Sequence, residues 1–369
     1  MKSYAKNGSI DYVLLGVVLL LCVFGLIMLT SAGSPLGFQK FGDSYHFIKQ
    51  QLISFVIGIA LLIVMMNVDY RILKKYSFHL LIVAIVLLFL VFIPGIGASL
   101  LGGSRWISIR GVVFQPSELA KLAFIIYLSA WLESQKGKTG KIAKQSIYQF
   151  AVLLVIIAGL IIAQPDMGTM SVITLVAGVI LFSAGVDMKY IFSMIGAGGV
   201  LFLLLIKLAP YRLQRLTSFL NPESDIQGSG YHVYQSLIAI GSGGFLGVGL
   251  GKSRQKFNYL PESAGDSIFA VIAEELGFLI SALLIATFLF LFIRGVRIAK
   301  RAPDEFGKLL VTGIISWIVL QAFMNIAALS SLIPLTGIPL PFISYGGSSL
   351  MLTLASVGIM LNVSKQVRK

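Results

Sequence analysis

The residues able to do chemistry fall in four groups. The first runs Gly102-Gly103-Ser104-Arg105-Trp106-Ile107 and then Phe114-Gln115-Pro116-Ser117-Glu118-Leu119-Ala120-Lys121-Leu122. Pro116 suits the first turn of a helix, and Glu118 and Lys121, three apart, then share a face. They read either as a local ion pair that eases burial or as a lysine holding an anion with Glu118 orienting it. The second group, Gln164-Pro165-Asp166-Met167-Gly168-Thr169, interrupts two apolar runs, and capping of the next helix is the favoured use of Asp166. The third spreads over a long segment: Tyr211-Arg212-Leu213-Gln214-Arg215, then Gln235 to Gly244, Lys252, and Leu260-Pro261-Glu262-Ser263-Ala264-Gly265-Asp266-Ser267 ahead of Glu274 and Glu275. Asp266 reads as a helix cap or as a working carboxylate. Its Arg, Lys and Gln company favours the second. The fourth is Asn325 with Pro334 to Ser349, where three prolines stiffen a loop and Gly346-Gly347 allow close backbone approach. It reads as a ligand loop or a structural hairpin. Together these are a carboxylate able to move a proton beside cations able to hold an anion.

Other chemistries lack their residues. Cys22 is the only cysteine, so neither an intrachain disulfide nor a cysteine metal site can form. His46, His79 and His232 are scattered without metal-ligand spacing and read as packing or polar-surface residues. The glycine-rich stretch from Gly241 to Gly251 is not a dinucleotide fingerprint. The net charge of +14 shows no basic stripe with interleaved aromatics, which argues against nucleic acid as partner.

The elements that carry these groups are set by composition. Of 369 residues, 57 % are hydrophobic and 12 % charged, with mean hydropathy +0.92. A soluble domain has roughly 25 % charged residues, so an ordinary soluble enzyme and a disordered chain are both excluded. Charge-free runs at Tyr12–Gln39, Gln50–Val68, Tyr76–Ser104, Gln145–Pro165, Met167–Val186, Tyr190–Ile206 and Leu276–Ile293 are span-sized. The run Leu309–Ser364 holds two spans around a Pro/Gly/Ser turn, and one more helix starts near Pro116 and ends near Glu133. The expectation is an all-α integral membrane protein of ten transmembrane helices in a single domain over 1–369. A long extracytoplasmic loop at about 209–266 joins helices 7 and 8. With the N-terminus inside, Lys2, Lys6, Arg71, Lys74, Lys75, Lys136, Lys138, Lys141, Lys144, Lys189, Arg294, Arg297, Lys300, Arg301, Lys308, Lys365, Arg368 and Lys369 fall on the cytoplasmic side. That bias places both termini in the cytoplasm. The first run is too long for a signal-peptide core and reads as a retained helix. Val233–Gly251 is apolar enough to span, but a crossing there would reverse the later charge bias, so it reads as interfacial or re-entrant.

The segments GGSRWI…FQPSELAKL, QPDMGT, YQSLIAIGSGG, LPES–D–IFAVIAEELG and IPLTGIPLPFISYGGSS resemble the SEDS family (shape, elongation, division and sporulation: FtsW, RodA and SpoVE). The likeness covers nearly the whole chain in order and is closest to the FtsW branch. The resemblance implies a multi-pass protein of the bacterial cytoplasmic (inner) membrane, with an extracytoplasmic active site. Its activity would be that of a peptidoglycan glycosyltransferase polymerising lipid II, the undecaprenyl-pyrophosphate-linked disaccharide peptide, in cell division or cell-shape wall synthesis. Its partners would be a cognate class B penicillin-binding protein, other division or elongation proteins, and membrane lipids. The family's essential aspartate falls on Asp266. The surrounding His-Thr-Asp-Phe pattern is Ala264-Gly265-Asp266-Ser267 here, so the acid stays while its neighbours shrink.

On this reading Asp266 is the catalytic base, taking a proton from an acceptor sugar hydroxyl as a lipid pyrophosphate leaves. Arg105, Glu118, Lys121, Arg212, Arg215, Gln235, Lys252, Glu262 and Ser344 are the substrate-binding candidates. No cofactor is expected. A divalent cation shared by Asp266 and phosphate is compatible with the residues, although they form no dedicated cage. The competing readings are a lipid II flippase or transporter, and a non-catalytic division scaffold.

Overall fold

A bilayer offers backbone N–H and C=O groups no water, so an apolar chain closes them within helices. The computed structural model describes residues 9–100, 103–109, 112–135, 144–194, 196, 198–199, 217, 219, 228 and 230–367. Its elements are α1 (Tyr12–Phe41), α2 (His46–Asn67), α3 (Tyr70–Lys75), α4 (Ser77–Leu90), strands β1 (Gly97–Leu100), β2 (Gly103–Ile109) and β3 (Val112–Phe114), α5 (Pro116–Gln135), α6 (Lys144–Ala163) and α7 (Met167–Ser183). After these come α8 (Tyr231–Ser242), α9 (Ile268–Lys300), α10 (Glu305–Leu329) and α11 (Gly347–Lys365). Helices α1, α2, α9, α10 and α11 are long and apolar enough to cross a membrane, while α4, Tyr148–Ala163 within α6, and α7 are shorter apolar helices.

Two expectations change. The chain is not purely helical. The charge-free run Tyr76–Ser104 is not one helix either: α4 stops at Leu90, and Gly97 begins a three-stranded antiparallel sheet ordered β1-β2-β3. Gly97 lies so close to the Val91 carbonyl that a Cβ there would sit 1.9 Å from its oxygen. β-branched Ile107, Ile109, Val112 and Val113 then favour extended pairing over helix. Apolarity alone did not separate these two outcomes.

The second change concerns α9, whose charge-free run Leu276–Ile293 reads as a span in a helix that also carries Glu274 and Glu275. The helix does begin ahead of them, at Ile268, but it breaks at Gly277, whose φ of 75° and ψ of −173° are not helical. The stretch from Phe278 to Lys300 alone reaches about 34 Å at 1.5 Å per residue, enough for a bilayer core. Helix α8 has 12 residues, about 18 Å, too short to cross. That agrees with reading Val233–Gly251 as a non-crossing piece.

Helices α10 and α11 are the most enclosed, and α11 packs along α2. The outer faces of α2 and α4 expose Ile53, Val56, Phe78, Val83 and Phe89. So broad an apolar surface is untenable in water and natural against lipid. At the start of α10, Asp304 caps the helix through Gly307 N and accepts from Tyr70 Oη at 2.6 Å and Arg71 Nε at 3.1 Å. Nearby, Asn362 of α11 accepts from Tyr70 N at 3.1 Å. This polar bracket fixes one end of α10. The functional groups gather at the other.

Candidate active site

One face of α10 carries Trp317, Gln321 and Asn325, four residues apart and buried. Gln321 Nε2 donates to Pro339 O at 2.9 Å. Asn325 Nδ2 donates to Ile338 O at 2.9 Å and to the Asp266 carbonyl at 2.7 Å. Gln321 Oε1 accepts from Lys121 Nζ at 2.7 Å and from Trp317 Nε1 at 2.8 Å. Lys121 Nζ also donates to Glu118 Oε1 at 2.8 Å and lies 4.9 Å from the Trp317 ring centroid. The local ion pair, one of the two readings of Glu118 and Lys121, is therefore present, with both side chains 2 % exposed. The lysine is spent on it and on Gln321, and its route to the rest of the site passes through the Ile338–Pro339 loop. Glu118 Oε2, Ser117 Oγ and Asn325 Oδ1 accept no hydrogen bond among the described residues.

The same loop meets the start of α7. A Cβ on Gly168 would lie 2.6 Å from Thr336 O and 2.5 Å from Ile338 Cγ2, so only glycine fits. The turn before Gly168 is held from the sheet. Arg105 on β2 donates through Nε to Gln164 O at 3.1 Å and through Nη2 to Pro165 O. Gln164 Nε2 donates to Leu88 O at 2.9 Å. Asp166 caps α7 through Thr169 N at 3.0 Å, as expected. Arg105 thus fixes a turn that supports the loop.

Asp266 is not the helix cap. Ser267 holds the N-cap position of α9 and makes no side-chain cap bond. A tight turn brings Asp266 toward Glu262: the Glu262 carbonyl accepts from Gly265 N at 2.9 Å and Ser267 N at 3.3 Å, and Glu262 itself sits at φ 48°. Burial pushes the Glu262 carboxyl above its ordinary range. Lys40 pulls it down, Asp266 pushes it further up, and His232 pulls it down. The two carboxyl groups therefore feel each other. Asp266 Oδ2 lies 3.7 Å from where a Cβ on Gly337 would stand, so the loop closes over the carboxylate. The small residues next to Asp266 have a packing reason. Ala264 is buried, its Cβ 3.6 Å from where one on Gly33 would be, and its carbonyl accepts from Tyr345 N at 2.9 Å. Ser263 Oγ donates to Ala32 O at 3.1 Å.

The remaining candidates divide. Gln235 is half-buried on α8 and shares a face with His232. Ser344 Oγ accepts from Leu340 N at 2.8 Å and its carbonyl accepts from Gln51 Nε2 at 3.1 Å, so it shapes the loop from within. Lys252 is exposed on the glycine-rich segment. That segment is anchored by Glu274, which accepts from Ser253 Oγ and from Arg254 N at 2.8 Å, and by Glu275, which accepts from Lys256 Nζ at 2.8 Å and Ser31 Oγ at 2.7 Å. An open groove of about 610 Å³ runs beside it, walled by Ile27, Phe38, Leu250 and Phe257. Arg212 and Arg215 lie outside the described residues. Among the described residues, no group of three or more His, Cys, Asp or Glu is arranged to hold a metal ion.

Sequence reasoning missed Gln321, Trp317 and His232. The spacing of Trp317, Gln321 and Asn325 was the available signal for the first two. Nothing in the sequence pointed to His232, because its neighbour Ser267 is 35 residues away.

This is a helical membrane protein with a carboxylate, a buried ion pair and a proline-stiffened loop brought together at one end of α10. A family profile described as "Cell cycle protein" (FTSW_RODA_SPOVE) matches residues 11–369, and the chain belongs to that family. It is 41 % identical over 360 residues to a protein of Geobacter sp. (strain M18) named "Probable peptidoglycan glycosyltransferase FtsW", covering 97 % of each chain. It is 44 % identical over 370 residues to "Stage V sporulation protein E" of Bacillus subtilis (strain 168), covering 98 % of this chain and 99 % of that one. The fold is similar to the crystal structure of the rod shape determining protein RodA of Thermus thermophilus, with TM-score 0.72 and 25 % identity over 98 % of each chain. It is also similar to a chain in a structure described as "Structural coordination of polymerization and crosslinking by a peptidoglycan synthase complex", with TM-score 0.76 and 27 % identity over 96 % of this chain and 97 % of that one. Family and apolar helices together make this a multi-pass membrane protein.

Proposed function

We propose that this chain is a peptidoglycan glycosyltransferase that polymerises lipid II at the outer face of the cytoplasmic membrane, with Asp266 as general base. The observation that carries the reading is the convergence of Asp266 and the Lys121–Gln321 network on one loop, through Asn325 to Ile338 O and Gln321 to Pro339 O. Asp266 accepts the proton of the acceptor sugar hydroxyl as that oxygen attacks the anomeric carbon of the donor. The bond from that carbon to the lipid pyrophosphate breaks, and the pyrophosphate leaves with the electron pair. Glu262 is the second carboxyl beside the base. Burial raises its pKa, and Asp266 raises it further. Glu118, Lys121 and Arg105 act as positioning residues, because their polar atoms are engaged in holding the loop and the turn behind it.

Lys252, Gln235, Arg212 and Arg215 are the candidates for direct contact with the pyrophosphate. A divalent cation shared by Asp266 and phosphate is an addition the carboxyl pair supports, and activity across a chelator titration tests it. Ten spans in one domain, both termini in the cytoplasm, and an outer loop over about 209–266 complete the reading. The partner would be a class B penicillin-binding protein, in keeping with the similarity to a chain of a peptidoglycan synthase complex.

The test incubates purified full-length protein, with and without the cognate penicillin-binding protein, with labelled lipid II. Asp266→Ala and Asp266→Asn are run alongside, with folding checked by thermal melt. Polymer from wild type that vanishes in both folded variants supports the reading. Polymer that persists in them overturns the base. No polymer even with the partner, together with lipid II crossing liposomes, would mean a flippase.

A further inference from the structure

His232 has no role in the reaction as described above. It stands half-buried on α8, with Nε2 2.6 Å from Ser267 Oγ. Ser267 is fully buried, and its Oγ lies 2.7 Å from Pro261 O and 3.5 Å from Asp266 Oδ1. A hydroxyl has one proton to give, and a carbonyl oxygen only accepts. The Ser267 proton therefore goes to Pro261 O at the short distance. Ser267 Oγ is left as an acceptor, and the His232 Nε2–H donates to it. The imidazole thus carries its proton on Nε2.

This chain of bonds closes the Pro261–Ser267 turn from one side. Gly265 N and Ser267 N close it from within, on the Glu262 carbonyl. Asp266 is the residue between those two amides, and Asn325 holds its backbone carbonyl. The backbone that carries its carboxylate is therefore held on either side. Ser267 is the flanking residue tied to another helix. Glu262 completes the surroundings, its carboxyl close enough to Asp266 for the two to interact.

We propose that His232 is a positioning residue for the Asp266 carboxylate, acting through the Ser267 hydroxyl. The proposal rests on Asp266 being the base.

The experiment measures kcat and KM for labelled lipid II polymerisation by the full-length protein with its cognate penicillin-binding protein. His232→Ala should lower kcat about tenfold and leave KM unchanged. In His232→Gln the amide Nε2–H replaces the imidazole donor, and kcat should return to within about twofold of wild type. Ser267→Ala is measured alone as well, and the double variant His232→Ala/Ser267→Ala should lose less than the product of the two single losses, because the His232–Ser267 bond is broken in each. Asp266→Asn is measured in parallel. If it is inactive while His232→Ala runs at the wild-type rate, the histidine proposal alone is overturned. If Asp266→Asn polymerises normally, the base reading falls and the histidine proposal with it. A His232→Gln variant as slow as His232→Ala with an unchanged melt, or additive losses in the double variant, would also overturn it.

Discussion

At the residue scale, Asp266 is gripped by its backbone. Its carbonyl accepts from Asn325 and its neighbours close on Glu262, while no cap duty claims its side chain. Asp266→Asn should therefore fold as wild type and lose roughly a hundredfold or more of polymerisation rate. Glu262 gives a stability prediction with a definite sign. A carboxyl raised by burial favours its protonated form in the fold. Its contribution is present below the ordinary glutamate range and is lost as pH rises through the raised value. Glu262→Gln should then raise the melting temperature by about 2 °C at pH 7.5 and leave it unchanged at pH 4. A melt of both proteins at the two pH values checks this. Lys121 gives the opposite case. Lys121→Met strands a buried Glu118 carboxylate and should cost about 3–5 kcal/mol, whereas Glu118→Gln/Lys121→Met should recover most of it. Denaturation in detergent reads the difference. An equal loss in the double variant would mean that Gln321, not charge pairing, dominates.

At the element scale, the break in α9 shows what the glycine-rich segment is for. A broken helix leaves amides and carbonyls without partners. The segment supplies them: Val248 N donates to Glu274 O at 3.0 Å, Gly249 N to Glu275 O at 2.9 Å, and Phe278 N to Gly244 O at 2.9 Å. Such contact needs bare backbone. A Cβ on Gly243 would lie 1.9 Å from Ala273 O, and one on Gly277 would lie 2.3 Å from Gly247 N. Gly277→Ala also meets a φ of 75°, a strain of about 1–3 kcal/mol before any clash. It should lower the melting temperature and make the 247–256 segment more protease-sensitive, as limited proteolysis would read. A variant as stable and as resistant as wild type would show that the break is not set by this glycine.

At the scale of the whole molecule, α10 joins two polar ends through an apolar middle. Asp304 anchors one end to Tyr70 and Arg71, and Gln321 and Asn325 hold the site at the other. Asp304 and Asn325 are about 32 Å apart along the helix, the thickness of a bilayer core. The proposed topology puts the Asp266 end outside. Because Cys22 is the only cysteine and is buried, single introduced cysteines report sidedness cleanly. Lys252→Cys should react with an impermeant maleimide from outside intact cells. Lys300→Cys should react only after the membrane is opened. The reverse pattern would invert the topology.

The sequence by itself determined the class. Low charge and long apolar runs leave a chain no stable state but helices in lipid, and that signal is additive along the chain. It also marked Asp266, Glu262, Glu118 and Lys121, because charge in an apolar chain is conspicuous wherever it falls. Asp166 as a cap was legible too, since capping is local. Tertiary structure alone decided what each group touches. Lys121 meets Gln321 across 200 residues, and His232 meets Ser267 across 35. Arg105 spends its guanidinium on the Gln164–Pro165 carbonyls. The break at Gly277 was hidden for the same reason: it depends on the approach of Gly277 to Gly247, and spacing along a chain carries no record of that distance. The sheet after α4 is local, and it was hidden because an apolar run reads alike as helix or strand.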